Sequence, residues 1–198
     1  MNYIERYFIE AKEIIDLVDR QQIRKMIILL KAIRERKGRI FFLGVGGSAA
    51  NASHAVNDFR KICGVEAYTP LDNVSELSAR VNDDGWENVF IHWLKQSNLS
   101  KNDGIFVFSV GGGNLEKKIS VNLVRAIEYA KKVNAKVLGI VGRDGGYTAQ
   151  MADACVIVPP IDSETITPHS ESFQSVIWHL IVSHPEMKEC AMKWESIK

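Results

Sequence analysis

The chain is poor in the features that mark a secreted, membrane-spanning or nucleic-acid-coating protein. It has only three cysteines, Cys63, Cys155 and Cys190, widely spaced and with no C-x-x-C pair. That pattern excludes a disulfide framework and a cysteine zinc knuckle, and fits inert thiols in a reducing cytosol. Charge of one sign is also lacking, with 25 Lys and Arg against 24 Asp and Glu for a net charge of +1. No long-range pull toward nucleic acid or anionic lipid is expected from that balance. No apolar run approaches the roughly 18 residues that span a bilayer. The N-terminal Met-Asn-Tyr-Ile-Glu-Arg carries charges where a secretory leader has an apolar stretch, so a cytoplasmic location is expected. Repeats and low-complexity segments are absent as well.

What is present is ordinary globular material. The 198 residues are 46% hydrophobic and 25% charged, enough for one domain with a real core. Residues 2–37 read as a helical arm, with apolar residues recurring from Tyr7 and Ile14 to Leu30 and Ile33. The run Ile27-Ile28-Leu29-Leu30 is apolar on more than one face, so residues 1–38 are expected to pack on the domain and on another subunit. The remaining residues, 39–198, form the domain proper.

Short, wholly apolar runs follow at Ile40–Leu43, Ile105–Phe108, Val137–Val141 and Cys155–Val158, with a weaker strand at Val65–Tyr68. They do not alternate, as expected of parallel strands buried on both faces. Helical stretches lie between them, which predicts a doubly wound α/β fold with a five-stranded parallel sheet.

Two of the expected strand ends are rich in glycine. Gly44-Val45-Gly46-Gly47-Ser48 leads into a helix, and Ser109-Val110-Gly111-Gly112-Gly113-Asn114 leads into another expected from about Glu116. Such loops let backbone N–H groups approach an anion, and the helix after each adds a positive dipole end. Gly46, Gly47, Ser48, Ser109, Gly111 and Asn114 are therefore candidate binding residues for a phosphorylated ligand. Alternatively, the glycines only make tight turns. Gly44, Gly46 and Ala49 also fit a loose dinucleotide fingerprint, with Glu66 near the position of a ribose-binding acid.

Three further groups can carry chemistry. His54 and Asp58 are four apart and share a helix face, which suits a metal, a proton-transfer pair or a plain surface ion pair. Thr167–Gln174 opens the last helix, which continues through His179. His179 sits among apolar residues and reads either as a ligand or as a core or interface histidine. Glu171 and His179 lie eight apart, about 12 Å along an ideal helix.

Gly-x-Gly-Gly-Ser after the first strand, Ser-x-x-Gly after the third and Gly-Arg-Asp-Gly-Gly at 142–146 resemble the SIS (sugar isomerase) domain. The resemblance spans essentially the whole chain, and within the family it is nearest to the phosphoheptose isomerases. It implies a flavodoxin-like sheet, a cytosolic homotetramer with sites at subunit contacts, and aldose–ketose isomerisation of sedoheptulose 7-phosphate through an enediol. It also implies a zinc ion held at His54, Asp58, Glu171 and His179, with Asp58 as base and His179 as acid. Asp58 is one methylene shorter than the group's carboxylate, and Glu171 brings a charge where the group has an amide. Asn82 and Asp83 match a pair that lines the sugar site. Val45, Gly111 and Asn114 depart from the group's Asn and two Ser, and His169 adds a titratable group that is a further candidate for substrate contact. These departures point to an altered sugar phosphate, to a domain that binds one without turning it over, or to another SIS enzyme such as an aminosugar deaminase or etherase. A DNA-binding regulator is disfavoured, because only about 38 residues precede the first strand and the charge is near neutral.

Overall fold

The computed structural model describes residues 1–197. Two helices come first, α1 (Tyr3–Leu17) and α2 (Arg20–Glu35). The expected single helix of 2–37 is broken at Val18–Asp19. Asp19 is the physical reason: its carboxylate accepts from the N–H groups of Gln21 and Gln22 at 2.8 and 3.2 Å and so starts a new helix. The domain then runs β1 (Arg39–Leu43), α3 (Gly47–Cys63), β2 (Glu66–Tyr68), α4 (Val74–Asp84), a 3-10 turn (Trp86–Asn88) and α5 (Val89–Gln96). It continues through β3 (Gly104–Ser109), α6 (Val121–Lys132), β4 (Lys136–Val141), α7 (Gly146–Met151), β5 (Ala154–Ile157), α8 (Ile166–Ser183) and α9 (Lys193–Ser196).

The five strands are parallel in the order β2-β1-β3-β4-β5, with Phe42 opposite Phe106 and Ile105 opposite Val137. All six residues of β3 are buried, which is why the central strand reads as one apolar run. The order reverses between β1 and β3, so their following loops part and leave a crevice at the strand ends. Phe42, Phe59, Phe106 and Phe108 form one cluster with α2, α3 and α8 on one side of the sheet. Phe41, Phe90, Leu123 and Ile127 anchor the other side with α5 and α6.

The two N-terminal helices differ in role. In α2, Ile23, Met26, Ile27, Leu30 and Ile33 are buried in the first cluster, so this helix belongs to the domain core. In α1 only Glu10 and Ile14 are buried, while Tyr3, Ile4, Phe8, Ile15 and Leu17 are exposed.

At the sheet end opposite the crevice, Asp103 ties β1 to β3. Its carboxylate accepts from the Arg39 guanidinium at 2.9 and 3.2 Å, the Arg39 N–H at 2.9 Å and the Ser100 N–H and hydroxyl at 2.9 Å. Burial works against its ionisation, yet the bonds from Arg39 and Ser100 outweigh it and hold the carboxyl below its ordinary range. Asp153 is held down in the same sense: burial is outweighed by the Val137 N–H and the ammonium groups of Lys131 and Lys136. Both groups titrate lower in the folded chain than the unfolded value of about 3.9. Their contribution to stability is complete above that value and is lost as pH falls through the folded pKa. Unfolding followed from pH 6 to pH 2.5 is expected to show stability falling below about pH 4, and Asp103→Asn is expected to flatten that acid limb.

Burial pushes the thiols of Cys63 and Cys155 up to about 12, as expected of inert thiols. Among the described residues, no helix is long and apolar enough to cross a membrane.

Candidate active site

The first glycine loop turns from β1 into α3 at Gly46, whose φ of 63° and ψ of −128° suit a residue without a side chain. The second loop leaves β3 at Ser109, whose hydroxyl accepts from the Gly112 N–H at 3.0 Å. It is fastened to the segment after β4, where the Thr148 N–H and hydroxyl both donate to the Gly112 carbonyl at 2.9 and 2.7 Å. These loops and the β4 loop enclose a cavity of about 340 Å³ beyond the strand ends. Val45 and Ser48 line it from the first loop, Ser109, Gly111 and Asn114 from the second, and Arg143 and Asp144 from the β4 loop.

The α6 helix begins at Val121, not at the expected Glu116. Residues 114–119 instead close on themselves, with paired backbone hydrogen bonds between Asn114 and Ile119 at 2.8 and 2.9 Å. This small loop places Lys117, Ile119 and Ser120 on the cavity wall. Sequence reasoning missed all three because Leu115-Glu116-Lys117-Lys118 reads as helix. It also gave Arg143 and Asp144 no role, although they lie within the Gly-Arg-Asp-Gly-Gly motif.

From the cavity a polar seam runs along α3 and α8. Gln174 is fully buried, donates to the Ser48 hydroxyl at 3.1 Å and accepts from the Asn51 amide at 3.0 Å. Asn51 also donates to the Glu171 carbonyl at 2.9 Å. Further along, His54, Asp58 and His179 offer ligand atoms that all lie within 4.8 Å of one another. His54 Nε2 is 3.7 Å and His179 Nε2 3.9 Å from Asp58 Oδ2. Trp178, fully buried, stacks on the His179 ring at 3.5 Å and meets the His54 ring edge-on at 4.7 Å. His179 Nδ1 lies 2.8 Å from the Ser175 carbonyl, which only accepts, so Nδ1 carries a proton and Nε2 is the ring nitrogen that faces Asp58.

The cluster suits a metal. Donor atoms around a tetrahedral metal at about 2.1 Å lie about 3.4 Å apart, and here the two imidazole nitrogens stand 3.7 and 3.9 Å from Asp58 Oδ2, all three within 4.8 Å, so a small inward shift would bring them to an ion. Two imidazoles and a carboxylate also leave a coordination position open, as catalytic zinc sites do.

Glu171 is the exception in the expected ligand set. The α8 helix is regular from Ile166, so nothing shortens the rise between Glu171 and His179. The Glu171 carboxylate lies instead against Gly47, where a Cβ would come within 2.2 Å of Oε2. The Glu171 side chain stands at the first glycine loop, and its place as a fourth ligand rests on the family resemblance.

Other expected site residues are not among those that line the cavity or form the cluster. His169 is buried, with Nε2 2.9 Å from Glu10 Oε2 and its ring stacked on Tyr7 at 4.2 Å. It fastens α1 to the start of α8. Asn82 and Asp83 are exposed on α4, where the Asn82 amide donates to Asp83 at 2.7 Å, and neither lines the cavity. Glu66 opens β2 opposite Arg39, the first residue of β1, at the strand end away from the glycine loops. The dinucleotide reading thereby loses its ribose acid.

A doubly wound sheet with glycine-rich loops at its switch point and a polar helix seam beside them describes a class. The SIS domain model matches residues 6–142, and the chain belongs to the SIS domain family. Within it stand proteins named phosphoheptose isomerase. The one from Helicobacter pylori is 30% identical over 190 residues, covering 91% of this chain and 92% of that protein. Another from Nitratiruptor sp. is 33% identical over 162 residues, covering 79% of this chain and 80% of that protein. Among solved structures, the phosphoheptose isomerase of Neisseria gonorrhoeae superposes with a TM-score of 0.77 at 22% identity, covering 90% of this chain and 95% of that one. That likeness bears on the fold.

Proposed function

We propose that the chain is a sugar-phosphate isomerase that interconverts a phosphorylated ketose and aldose, with sedoheptulose 7-phosphate as the leading substrate. The observation that carries this reading is the seam itself, which leads from the cavity at the switch point to His54, Asp58 and His179. His54 lies about 9 Å along α3 from Ser48, so a phosphorylated sugar chain anchored in the cavity extends toward the cluster. Binding energy from the remote phosphate then orients the reacting end.

Asp58 takes the proton from C1 of the ketose, and the C–H electrons form the C1–C2 double bond. The carbonyl oxygen on C2 gains a proton from His179 Nε2, which gives the enediol. Return of a proton to C2 and loss of the O1 proton complete the aldose with no net change in atoms or electrons. The Ser175 carbonyl keeps Nδ1 protonated, so the moving proton is the one on Nε2. Trp178 holds both rings against rotation. Gln174 and Asn51 fix the first loop against α8.

A divalent ion, zinc by the donor set, would be held by His54, Asp58 and His179 and would polarise the sugar oxygens as a Lewis acid. His179 Nε2 serves one duty at a time: where it held the ion, the ion's polarisation of the carbonyl oxygen would stand in for the acid. The exposed apolar residues of α1, including Ile4 and Phe8, support a homo-oligomer, for which we assign the tetramer.

Conversion of sedoheptulose 7-phosphate by the purified protein, followed by NMR with metal added and with chelator, tests the reading. Conversion that falls with chelator supports it. Binding without conversion under both conditions would leave a sugar-phosphate binding domain.

A further inference from the structure

Two basic residues line the cavity without a carboxylate partner. Arg143 and Lys117 stand on its wall, and neither side chain takes part in an ion pair or hydrogen bond among the described residues. Arg6, Arg39 and Arg80, by contrast, each meet a carboxylate. Asp144 is the acidic residue on the same wall, and it is turned into its own loop, accepting from the Gly146 N–H at 3.2 Å.

Arg143 itself, and two residues of the loop that carries Lys117, adopt left-handed backbone. Arg143 has φ of 53°, a left-handed conformation that L residues other than Asn and Asp seldom adopt. Lys117 sits in the closed loop beside Lys118 and Ser120, with φ of 53° and 48°. The Asn114 side chain accepts from the Lys117 N–H at 2.8 Å and fixes the loop tip. Gly111 faces Arg143, where an added Cβ would stand 3.7 Å from Cδ, so the arginine stem lies across the second glycine loop.

We propose that Arg143 and Lys117 form a two-cation clamp that selects a dianionic phosphoryl group in this cavity. Guanidinium supplies a planar fork matched to phosphate oxygens, and ammonium a compact charge beside it. The clamp supplies by charge what the hydroxyl-poor second loop, with Gly111 and Asn114, does not supply by side-chain hydrogen bonds. It deepens the isomerase reading and rests on it only for the identity of the sugar.

The test separates the two. Inorganic phosphate is titrated into the full chain by calorimetry at low and high salt. The variants are Arg143→Gly, which relaxes the left-handed backbone and keeps the fold, Lys117→Gln, and the two combined. Each single change is expected to weaken phosphate binding about tenfold or more, and the pair more strongly still. Sulfate is expected to compete, and the monoanionic acetate is not. kcat/KM for the sugar phosphate is expected to fall in parallel. Phosphate binding lost in the variants of a chain that turns over no sugar phosphate would keep the clamp and remove the isomerase. Turnover and phosphate binding unchanged in the double variant would overturn the clamp, as would no binding of phosphate to the parent chain.

Discussion

Replacing Asp58 by Asn is expected to cut turnover of the sugar phosphate by about 10²- to 10⁴-fold, the range associated with a positioned general base. The substitution keeps the side chain's size and removes its capacity to accept a proton. It also removes the charge that faces His54 Nε2 at 3.7 Å and His179 Nε2 at 3.9 Å. Folding should be little changed, because the Asp58 carboxylate meets only Asn57 and two exposed imidazoles. Binding of inorganic phosphate in the cavity should survive, which separates a lost base from a lost fold. Asp58→Glu reaches further with the same chemistry and is expected to retain turnover. Steady-state kinetics with a parallel phosphate titration checks both. Turnover undiminished in Asp58→Asn would remove the base from the mechanism.

Gly112→Ala should dismantle the cavity. Gly112 has φ of 68°, and an added Cβ would stand 1.9 Å from the Gly145 carbonyl oxygen. The left-handed backbone alone costs an L residue about 1–2 kcal/mol, and forcing atoms into a packed contact costs about 1–3 kcal/mol more. The neighbour is main chain, so no side-chain rotation relieves the clash. The second loop and the β4 loop must part, at the expense of the Thr148 bonds to the Gly112 carbonyl. A loss of about 2–5 kcal/mol in unfolding free energy is expected from these two terms, with phosphate binding lost alongside it. Gly46→Ala is the informative contrast. Its φ is also left-handed, at 63°, but an added Cβ meets nothing within 4 Å. It should cost only the backbone term, about 1–3 kcal/mol for a conformation outside the regions L residues populate.

Much of this architecture is legible in the residues. The runs Ile105–Phe108 and Val137–Val141 lie within β3 and β4, because strands buried on both faces carry no polar alternation to obscure them. The glycine loops stand at the ends of β1 and β3, where turn chemistry and ligand approach ask for the same residue. Positions that depend on contacts distant in sequence were harder to read. The break at Asp19 hides inside an apolar period that continues from one helix to the next. Leu115–Lys118 has helix-forming residues, but Asn114 and Ile119 pair their backbones and defer the helix to Val121. His169 looks like a spare catalytic group until Glu10, more than 150 residues earlier, is seen against it. Glu171 enters the expected ligand set only through the family resemblance, and the straight rise of α8 sets its carboxylate against Gly47. Lys117 and Arg143 belong to no motif with a chemical meaning of its own, so only the closing of three loops around one cavity gives them a place.

The central claim is that proton transfer through Asp58 interconverts the two sugars. It is tested most directly by running the reaction in deuterium oxide and reading the recovered sugar phosphates by NMR. The Asp58 side chain is 15% exposed, so a proton it holds can exchange with water. Deuterium is expected on the carbons that exchange the carbonyl, in substrate and product alike, and none in Asp58→Asn. Full conversion with only protium at those carbons would mean that hydrogen passes directly between them, and would contradict the account.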